Sequence, residues 1–122
     1  MFSFLRRQGN KAEDQAANYL KEKGYKILAR NFSCKMGEID IIAQDKQNTI
    51  VFVEVKQRKT NLFGGGIAAV NKAKQRRITL AAAAYIKKTK INYTALRFDI
   101  ITVTAGVLTH YENAFSTHNL TL

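Results

Sequence analysis

The sequence lacks the features of exported and membrane-spanning proteins. It has one cysteine, Cys34, so it cannot form an intramolecular disulfide, which agrees with a reducing compartment. No apolar run approaches the ~20 residues that a transmembrane helix needs. In the first seven residues the charges follow the apolar residues, which is the reverse of a secretory signal. We therefore expect a soluble, cytoplasmic protein with no membrane partner.

Two further absences argue against a zinc site and against a phosphate-binding loop. The histidines, His110 and His118, have no cysteine or histidine partners nearby, so a zinc site is not expected. The triple glycine at 64–66 predicts a loop, but it lacks the following Lys-Ser/Thr of a phosphate-binding loop. With no repeats and no linker, the 122 residues predict one domain over 1–122, with 1–9 as a flexible N-terminal arm.

Acidic residues are also scarce. There are 9 of them against 20 basic residues, which gives a net charge of +11. From Lys56 to Lys90 every charged residue is basic. Four acids instead lie inside apolar, strand-like runs: Glu38, Asp40, Glu54 and Asp99. The positive charge predicts attraction to a polyanion, whereas carboxylates placed in strands call for a specific explanation.

Hydrophobic periodicity predicts the element order α-β-β-β-α-β-β. The first helix is predicted over 11–23, with Asn10 as its N-cap and Gly24 ending it. The second helix is predicted over about 70–88, and the strands over 25–32, 38–43, 50–57, 97–104 and 107–111. This order indicates an α/β domain in which helices flank one central mixed β-sheet.

Glu13 lies on the apolar face of the first predicted helix. It precedes Ala16, Ala17 and Leu20 by three, four and seven residues, which places all four on one side. An acid on an inward face is unusual. It either interacts with the positive end of the helix dipole or points into a functional site.

Two acids are expected to face each other across a hairpin formed by the second and third strands. Side chains alternate along a strand, so Glu54 and Lys56 share a face. With the turn centred near Gln47, Asp40 lies opposite Glu54, and Glu38 lies opposite Lys56. Like charges opposite each other in a sheet are destabilising. The pair therefore predicts a bound cation.

This carboxylate pair has the chemistry of a phosphodiesterase metal site. Carboxylate oxygens suit Mg²⁺ or Mn²⁺, which also bind waters and phosphate oxygens. Lys56, about 7 Å along the strand from Glu54, is within reach of an attacking water or of the charge that develops on the phosphate. An inward Glu13 would complete the site. The alternative is that Glu54 and Lys56 form an ordinary surface ion pair.

Two segments carry a family resemblance. Gly37-Glu38-Ile39-Asp40 and Val51-Phe52-Val53-Glu54-Val55-Lys56-Gln57-Arg58 closely resemble the YraN family of predicted bacterial endonucleases. Asn31, Lys72 and Arg97-Phe98-Asp99 fit the same family, and the likeness runs from about Gly9 to Phe115. Through this family the chain resembles archaeal Holliday-junction resolvases and the restriction-endonuclease-like, PD-(D/E)xK superfamily.

The resemblance implies a role for each acid. Asp40, Glu54 and Lys56 would be the D-E-K catalytic residues, with Asp40 and Glu54 as ligands of Mg²⁺ or Mn²⁺. Glu13 matches an acid on the first helix of the resolvases. Ile39 stands where the motif that names the superfamily has proline, and the chain has no proline. The implied protein is a metal-dependent endonuclease with a restriction-endonuclease-like fold.

Basic residues around the second helix are candidates for binding nucleic acid. Positive charge at a helix start opposes the helix dipole, and a bound phosphate would relieve that conflict. The candidates at this helix and at the end of the third strand are Arg58, Lys59, Lys72, Lys74, Arg76 and Arg77. The alternative is a basic face that is merely solvated.

The sequence leaves two functions open. The first is an Mg²⁺-dependent endonuclease acting on DNA, including branched or single-stranded structures. The second is a non-catalytic nucleic-acid-binding protein that retains a nuclease fold. The joint presence of Asp40, Glu54 and Lys56 favours the first. A homodimer is left open.

Overall fold

A computed structural model describes residues 11–59 and 70–116. The helices are α1 (Lys11–Glu22) and α2 (Lys72–Thr89), and the strands are β1 (Lys26–Cys34), β2 (Gly37–Gln44), β3 (Thr49–Arg58), β4 (Ala95–Thr104) and β5 (Val107–Tyr111). The predicted element order is confirmed, with element ends that differ by at most two or three residues. The predicted N-terminal arm, the Asn10 cap and the glycine loop lie outside the described residues.

The five strands form one mixed sheet in the order β1-β2-β3-β4-β5. β3 and β4 are parallel, and the other neighbouring pairs are antiparallel. Parallel neighbours need a crossover connection, and α2 lies in the connection between β3 and β4. The predicted central mixed sheet with flanking helices is therefore confirmed, and it is compatible with a restriction-endonuclease-like fold.

The helices cover opposite faces of the sheet. Alternate residues of β3 belong to different cores, as the predicted strand pattern requires. The core beneath α1 includes Ala16, Ala17, Leu20, Val51 and Val53. The core beneath α2 includes Phe52, Ile78, Ala81, Tyr85 and Phe98. Since β3 is central and buried on both faces, a charged residue in it needs partners within the protein.

The ends of both helices follow from local chemistry. After α1, Gly24 has φ +94, a left-handed conformation that glycine adopts without steric cost. At the start of α2, the Asn71 side chain accepts the backbone N–H of Lys74 at 2.8 Å. The first turn of α2 is therefore anchored. Within the described part of the chain, neither helix is long and apolar enough to cross a membrane.

β1 and β2 are irregular near the candidate site, in addition to a register shift between Ile27 and Ala29. Asn31, inside β1, has φ +54, which is uncommon for a residue other than glycine. In β2, Ile39 and Ile42 both pack in the core beneath α2, although residues three apart in a regular strand face opposite sides. Asp40 lies between them. The backbone therefore departs from regular strand geometry where the candidate site is built.

Candidate active site

The hairpin of β2 and β3 has the predicted register. Its paired residues run from Gln44 opposite Ile50 to Ile41 opposite Val53. The same register, carried one residue further, places Asp40 opposite Glu54. Glu54 is close enough to raise the pKa of Asp40 through its charge and through a side-chain hydrogen bond. The structure thus brings together the two acids that the sequence predicts to face each other.

Asp40 is held by the backbone of the neighbouring strand. Its Oδ2 accepts the N–H of Val55 at 2.8 Å, just beyond the last paired residues of the hairpin. Burial and the nearby charge of Glu54 raise the pKa of Asp40 to about 8, although the Val55 hydrogen bond lowers it. Two carboxyl groups hydrogen-bond to each other only when one is protonated. The pair therefore holds a proton near neutral pH.

Lys74 provides positive charge inside this site. Its Nζ lies 2.6 Å from Oε2 of Glu54, whose side chain is only 5% exposed. Burial lowers the pKa of Lys74, but the hydrogen bond and charge of Glu54 outweigh that effect and raise it. The sequence placed Lys74 among the nucleic-acid-binding residues of a basic surface. The structure adds a contact that was not predicted, because Lys74 lies against the carboxylate pair.

Lys56 lies beside the same pair. It shares the face of β3 that carries Glu54, as predicted, and it is half-buried. The ammonium groups of Lys56 and Lys74 are close neighbours. Two buried or half-buried carboxyl groups and two lysines therefore meet at the end of β3.

Glu13 points inward from α1, as predicted, and it is 4% exposed. Its Oε1 accepts hydrogen bonds from Arg30 Nη2 at 3.0 Å, Arg30 Nε at 3.1 Å and Asn31 Nδ2 at 3.1 Å. The charge of Glu13 also contributes to the raised pKa of Asp40. Glu13 therefore lies near the site, where it binds the irregular segment of β1. Sequence reasoning missed Arg30 because nothing in the local pattern identifies the partner of Glu13.

The donor set suits a hard divalent cation that binds two carboxylates. Asp40 and Glu54 present oxygen ligands side by side, and their mutual repulsion is relieved here by a proton and by Lys74. In residues 11–59 and 70–116, no group of three or more His, Cys, Asp or Glu residues has the geometry of a metal site. Mg²⁺ commonly uses only one or two protein carboxylates and completes its shell with waters and phosphate oxygens. The residues present therefore fit Mg²⁺ or Mn²⁺.

The other predicted nucleic-acid-binding residues surround this end of the sheet. Lys72, Arg76 and Arg77 are exposed on the first turns of α2, whose first turn has no acidic residue. At the end of β3, Arg58 is half-buried and Lys59 is exposed. β3 ends close to the basic first turns of α2. Basic residues on these two elements therefore lie around the carboxylate pair.

The start of β2 packs directly on this helix. Gly37 is so close to α2 that a Cβ at this position would lie 3.0 Å from the backbone oxygen of Arg77. A side chain at Gly37 would therefore push β2 and α2 apart. Because the carboxylate pair includes Asp40 from β2 and the ion pair includes Lys74 from α2, this close approach helps to define the site.

Asp99 belongs to a different network on the α1 side of the sheet. It is fully buried, and it accepts hydrogen bonds from Arg97 Nε at 2.9 Å and from the Asn113 N–H at 2.9 Å. His110 Nε2 lies 2.6 Å from Asp99 Oδ2, and His110 Nδ1 lies 2.9 Å from the hydroxyl of Tyr19. This network ties α1, β4 and β5 together, which explains an acid that the sequence left unassigned.

Comparisons with known proteins place the chain in a family. A family model described as "Uncharacterised protein family UPF0102" matches residues 12–103. A UPF0102 protein of Cupriavidus necator is 43% identical over 108 residues, which cover 88% of this chain and 82% of that protein. A UPF0102 protein of Clostridium tetani is 45% identical over 116 residues, which cover 95% and 92% respectively. These matches confirm the resemblance to the YraN family. The chain belongs to the UPF0102 family.

Proposed function

We propose that this protein is an endonuclease of the restriction-endonuclease-like type that uses Mg²⁺ or Mn²⁺ to hydrolyse phosphodiester bonds in DNA, including branched or single-stranded structures. One observation carries the proposal: Asp40 and Glu54 face each other across the β2–β3 hairpin, with Lys74 in an ion pair with Glu54 and Lys56 on the same face of β3. A fold gains nothing in stability from two facing carboxyl groups, because like charges repel and burial penalises ionisation. Functional sites are where such local conflicts are expected.

Each residue has a defined part in this chemistry. Asp40 and Glu54 would hold the metal through their oxygens, and Asp40 would release its proton when it does so. When bound, the metal polarises the scissile phosphate and lowers the pKa of a bound water. Lys56 orients the attacking water and stabilises negative charge as it develops on the phosphate. Glu13 positions the segment of β1 that borders Asp40, through Arg30 and Asn31.

The basic border would guide the nucleic acid to this site. Lys72, Arg76 and Arg77 on α2 and Arg58 and Lys59 at the end of β3 would contact backbone phosphates. Contacts of this kind do not depend on base sequence. They supply affinity through the release of counterions. A net charge of +11 favours such an encounter over long range.

The second candidate function is nucleic-acid binding without catalysis. The ion pair between Lys74 and Glu54 favours it, because this ion pair neutralises the buried acid with no metal present. A protein of this kind would retain the fold and the basic border but would not cut. The two functions therefore differ in cleavage and not in binding.

The test is to incubate the pure protein with junction, flap, single-stranded and duplex DNA and with RNA, each with Mg²⁺ and with Mn²⁺. We expect Glu54→Gln and Lys56→Ala each to reduce cleavage by about 10²- to 10⁴-fold. Affinity for the same substrate should change little, because both residues act in the chemical step. Glu22→Gln and Lys87→Ala make the same chemical changes at exposed positions of α1 and α2 and serve as matched controls.

The possible results separate the two functions. Undiminished cutting by Glu54→Gln or by Lys56→Ala would reject the assignment of the site. Tight binding with no cleavage of any substrate in either metal would establish the non-catalytic function. Light scattering on the same samples, free and bound, would show whether the protein is a homodimer.

A further inference from the structure

We propose that Lys74 is an internal counter-ion of this site: it neutralises Glu54 when no divalent cation is bound, and it moves to a phosphate of the nucleic acid when one binds. The competition between Lys74 and the metal rests on the ion pair alone. The transfer to a phosphate rests on the function proposed above. Lys74 is thus a positioning and charge-balancing residue in addition to the Asp40, Glu54 and Lys56 set.

The geometry makes the competition unavoidable. The Lys74 ammonium lies 2.6 Å from Oε2 of Glu54, on a side chain that is 5% exposed. A magnesium ion binds carboxylate oxygens at about 2.0–2.1 Å. Two cations at these distances from one carboxylate would repel each other strongly in a partly buried site. Lys74 must therefore leave Glu54, at least in part, before Glu54 can act as a metal ligand.

The helix start holds the backbone of Lys74 while its ammonium is free to move. Asn71 accepts the Lys74 N–H at 2.8 Å, and the side chain of Gln75 donates to Val70 O at 3.0 Å. These bonds anchor the first turn of α2. A lysine side chain has a flexible four-carbon stem, and that of Lys74 is 34% exposed. The ammonium can therefore turn outward without any change in the helix.

An outward position would bring Lys74 to the basic border. Arg77, which belongs to this border with Lys72 and Arg76, is exposed three residues after Lys74 and lies on the same side of the helix. A phosphate near these cations would offer Lys74 a new partner when the metal displaces it from Glu54. Metal and nucleic acid would then each favour binding of the other, because each stabilises the same position of Lys74. This coupling would keep the charge of Glu54 neutralised until substrate arrives.

The test measures metal affinity, which requires no cleavage. Calorimetric titration of the full chain with Mn²⁺, without nucleic acid, compares the wild type with Lys74→Gln, Lys74→Arg and Lys87→Gln. Lys74→Gln should bind Mn²⁺ about 5- to 150-fold more tightly, the range typical of coupled sites. Lys74→Arg keeps the charge and should return the affinity towards that of the wild type.

Lys87→Gln is the matched control for a general loss of charge. It removes one positive charge from an exposed position of the same helix, and at about 0.15 M salt charges beyond roughly 8 Å are largely screened. Its effect on Mn²⁺ affinity should therefore be much smaller than that of Lys74→Gln. Repeating the titrations with a saturating single-stranded oligonucleotide tests the second half of the proposal. The oligonucleotide should tighten Mn²⁺ binding to the wild type but hardly to Lys74→Gln.

The results distinguish this proposal from the proposed function. If Lys74→Gln binds Mn²⁺ no more tightly than Lys87→Gln, or binds none, Lys74 does not compete with the metal, whether or not the protein cuts DNA. If Lys74→Gln binds Mn²⁺ more tightly but no nucleic acid is cut, the competition is established and the endonuclease function fails. If the oligonucleotide affects both proteins equally, the transfer to a phosphate is wrong.

Discussion

Asp40→Asn tests the metal site through stability alone. The substitution removes one of the two facing carboxyl groups but keeps an oxygen that can accept the Val55 N–H, which Asp40 accepts at 2.8 Å. The new amide group can also donate to Glu54, so the repulsion is replaced by a hydrogen bond. Glu38→Gln makes the same kind of change at an exposed residue of β2 and serves as the control.

The magnitude follows from the raised pKa of Asp40. Burial and Glu54 raise this pKa from 3.8 to about 8, so the folded state loses stability as the pH rises from about 4 to about 8. The interval between the ordinary pKa of 3.8 and pH 7 is about three pH units. At about 1.4 kcal/mol per unit, the destabilisation by Asp40 has an upper bound of about 4 kcal/mol. Repulsion between two like charges in an ordinary cross-strand pair, at about 1 kcal/mol, sets the lower bound. We expect Asp40→Asn to stabilise the metal-free protein by about 1–3 kcal/mol at pH 7 and by almost nothing at pH 4.

Thermal melts with EDTA at pH 4, 5.5, 7 and 8.5 measure this directly. In a domain of this size 1 kcal/mol changes the melting temperature by about 3–6 °C, so the expected gain at pH 7 is well resolved. Excess Mg²⁺ should raise the melting temperature of the parent, because it binds the folded state preferentially, and should raise that of Asp40→Asn less. If Asp40→Asn instead destabilises the metal-free protein, and Mg²⁺ affects both proteins equally, Asp40 is a structural hydrogen-bonding residue.

Two further predictions concern the basic border and the buried network. Neutralising Lys72, Arg76 and Arg77 together should weaken the salt dependence of nucleic-acid binding. The slope of the logarithm of the binding constant against the logarithm of the salt concentration should become shallower by about two to three, at about 0.9 per phosphate contact. An unchanged slope would place this helix away from the nucleic acid backbone. Asp99→Asn should destabilise the protein at pH 7 by about 2–4 kcal/mol, since it removes the buried charge that pairs with Arg97 and replaces one of the two acceptor oxygens with an NH₂ donor. Burial alone would raise the pKa of Asp99, but hydrogen bonds, first that of His110, lower it, so this stabilisation is present above about pH 4 and is lost as the pH falls further. Asp99→Asn and the parent should therefore differ less in acid melts than at pH 7, and equal melting at pH 7 would contradict the prediction.

The register of the central hairpin could be predicted because two independent patterns agree. Strict alternation in β3 assigns Glu54 to one face, and the short polar segment after β2 limits where the turn can lie. A slip of one residue would have moved the apolar residues of β3 to the wrong faces. The pairing of Ile41 with Val53, and with it the approach of Asp40 to Glu54, follows from these constraints.

The surroundings of Glu13 could not be predicted in the same way. Asn31 adopts φ +54 inside a strand, and asparagine in an extended run gives no specific signal for that conformation. The turn of the backbone there brings Arg30 and Asn31 to the same carboxylate. Which element crosses α1 at Glu13 depends on tertiary packing, and the periodicity of either segment alone contains no information about it.

The contact between Lys74 and Glu54 was not predicted, although the sequence contains a signal for it. Lys74 precedes Ile78 by four residues, so it continues the apolar stripe of α2 that packs on the sheet. Glu13 stands in the same relation to Ala17 on α1. A charged residue one turn before a buried stripe faces the core and needs an opposite charge there. Applied to both helices, this rule assigns Glu13 a cationic partner and Lys74 an anionic one, and Glu54 is the buried acid on the face of β3 that α2 covers.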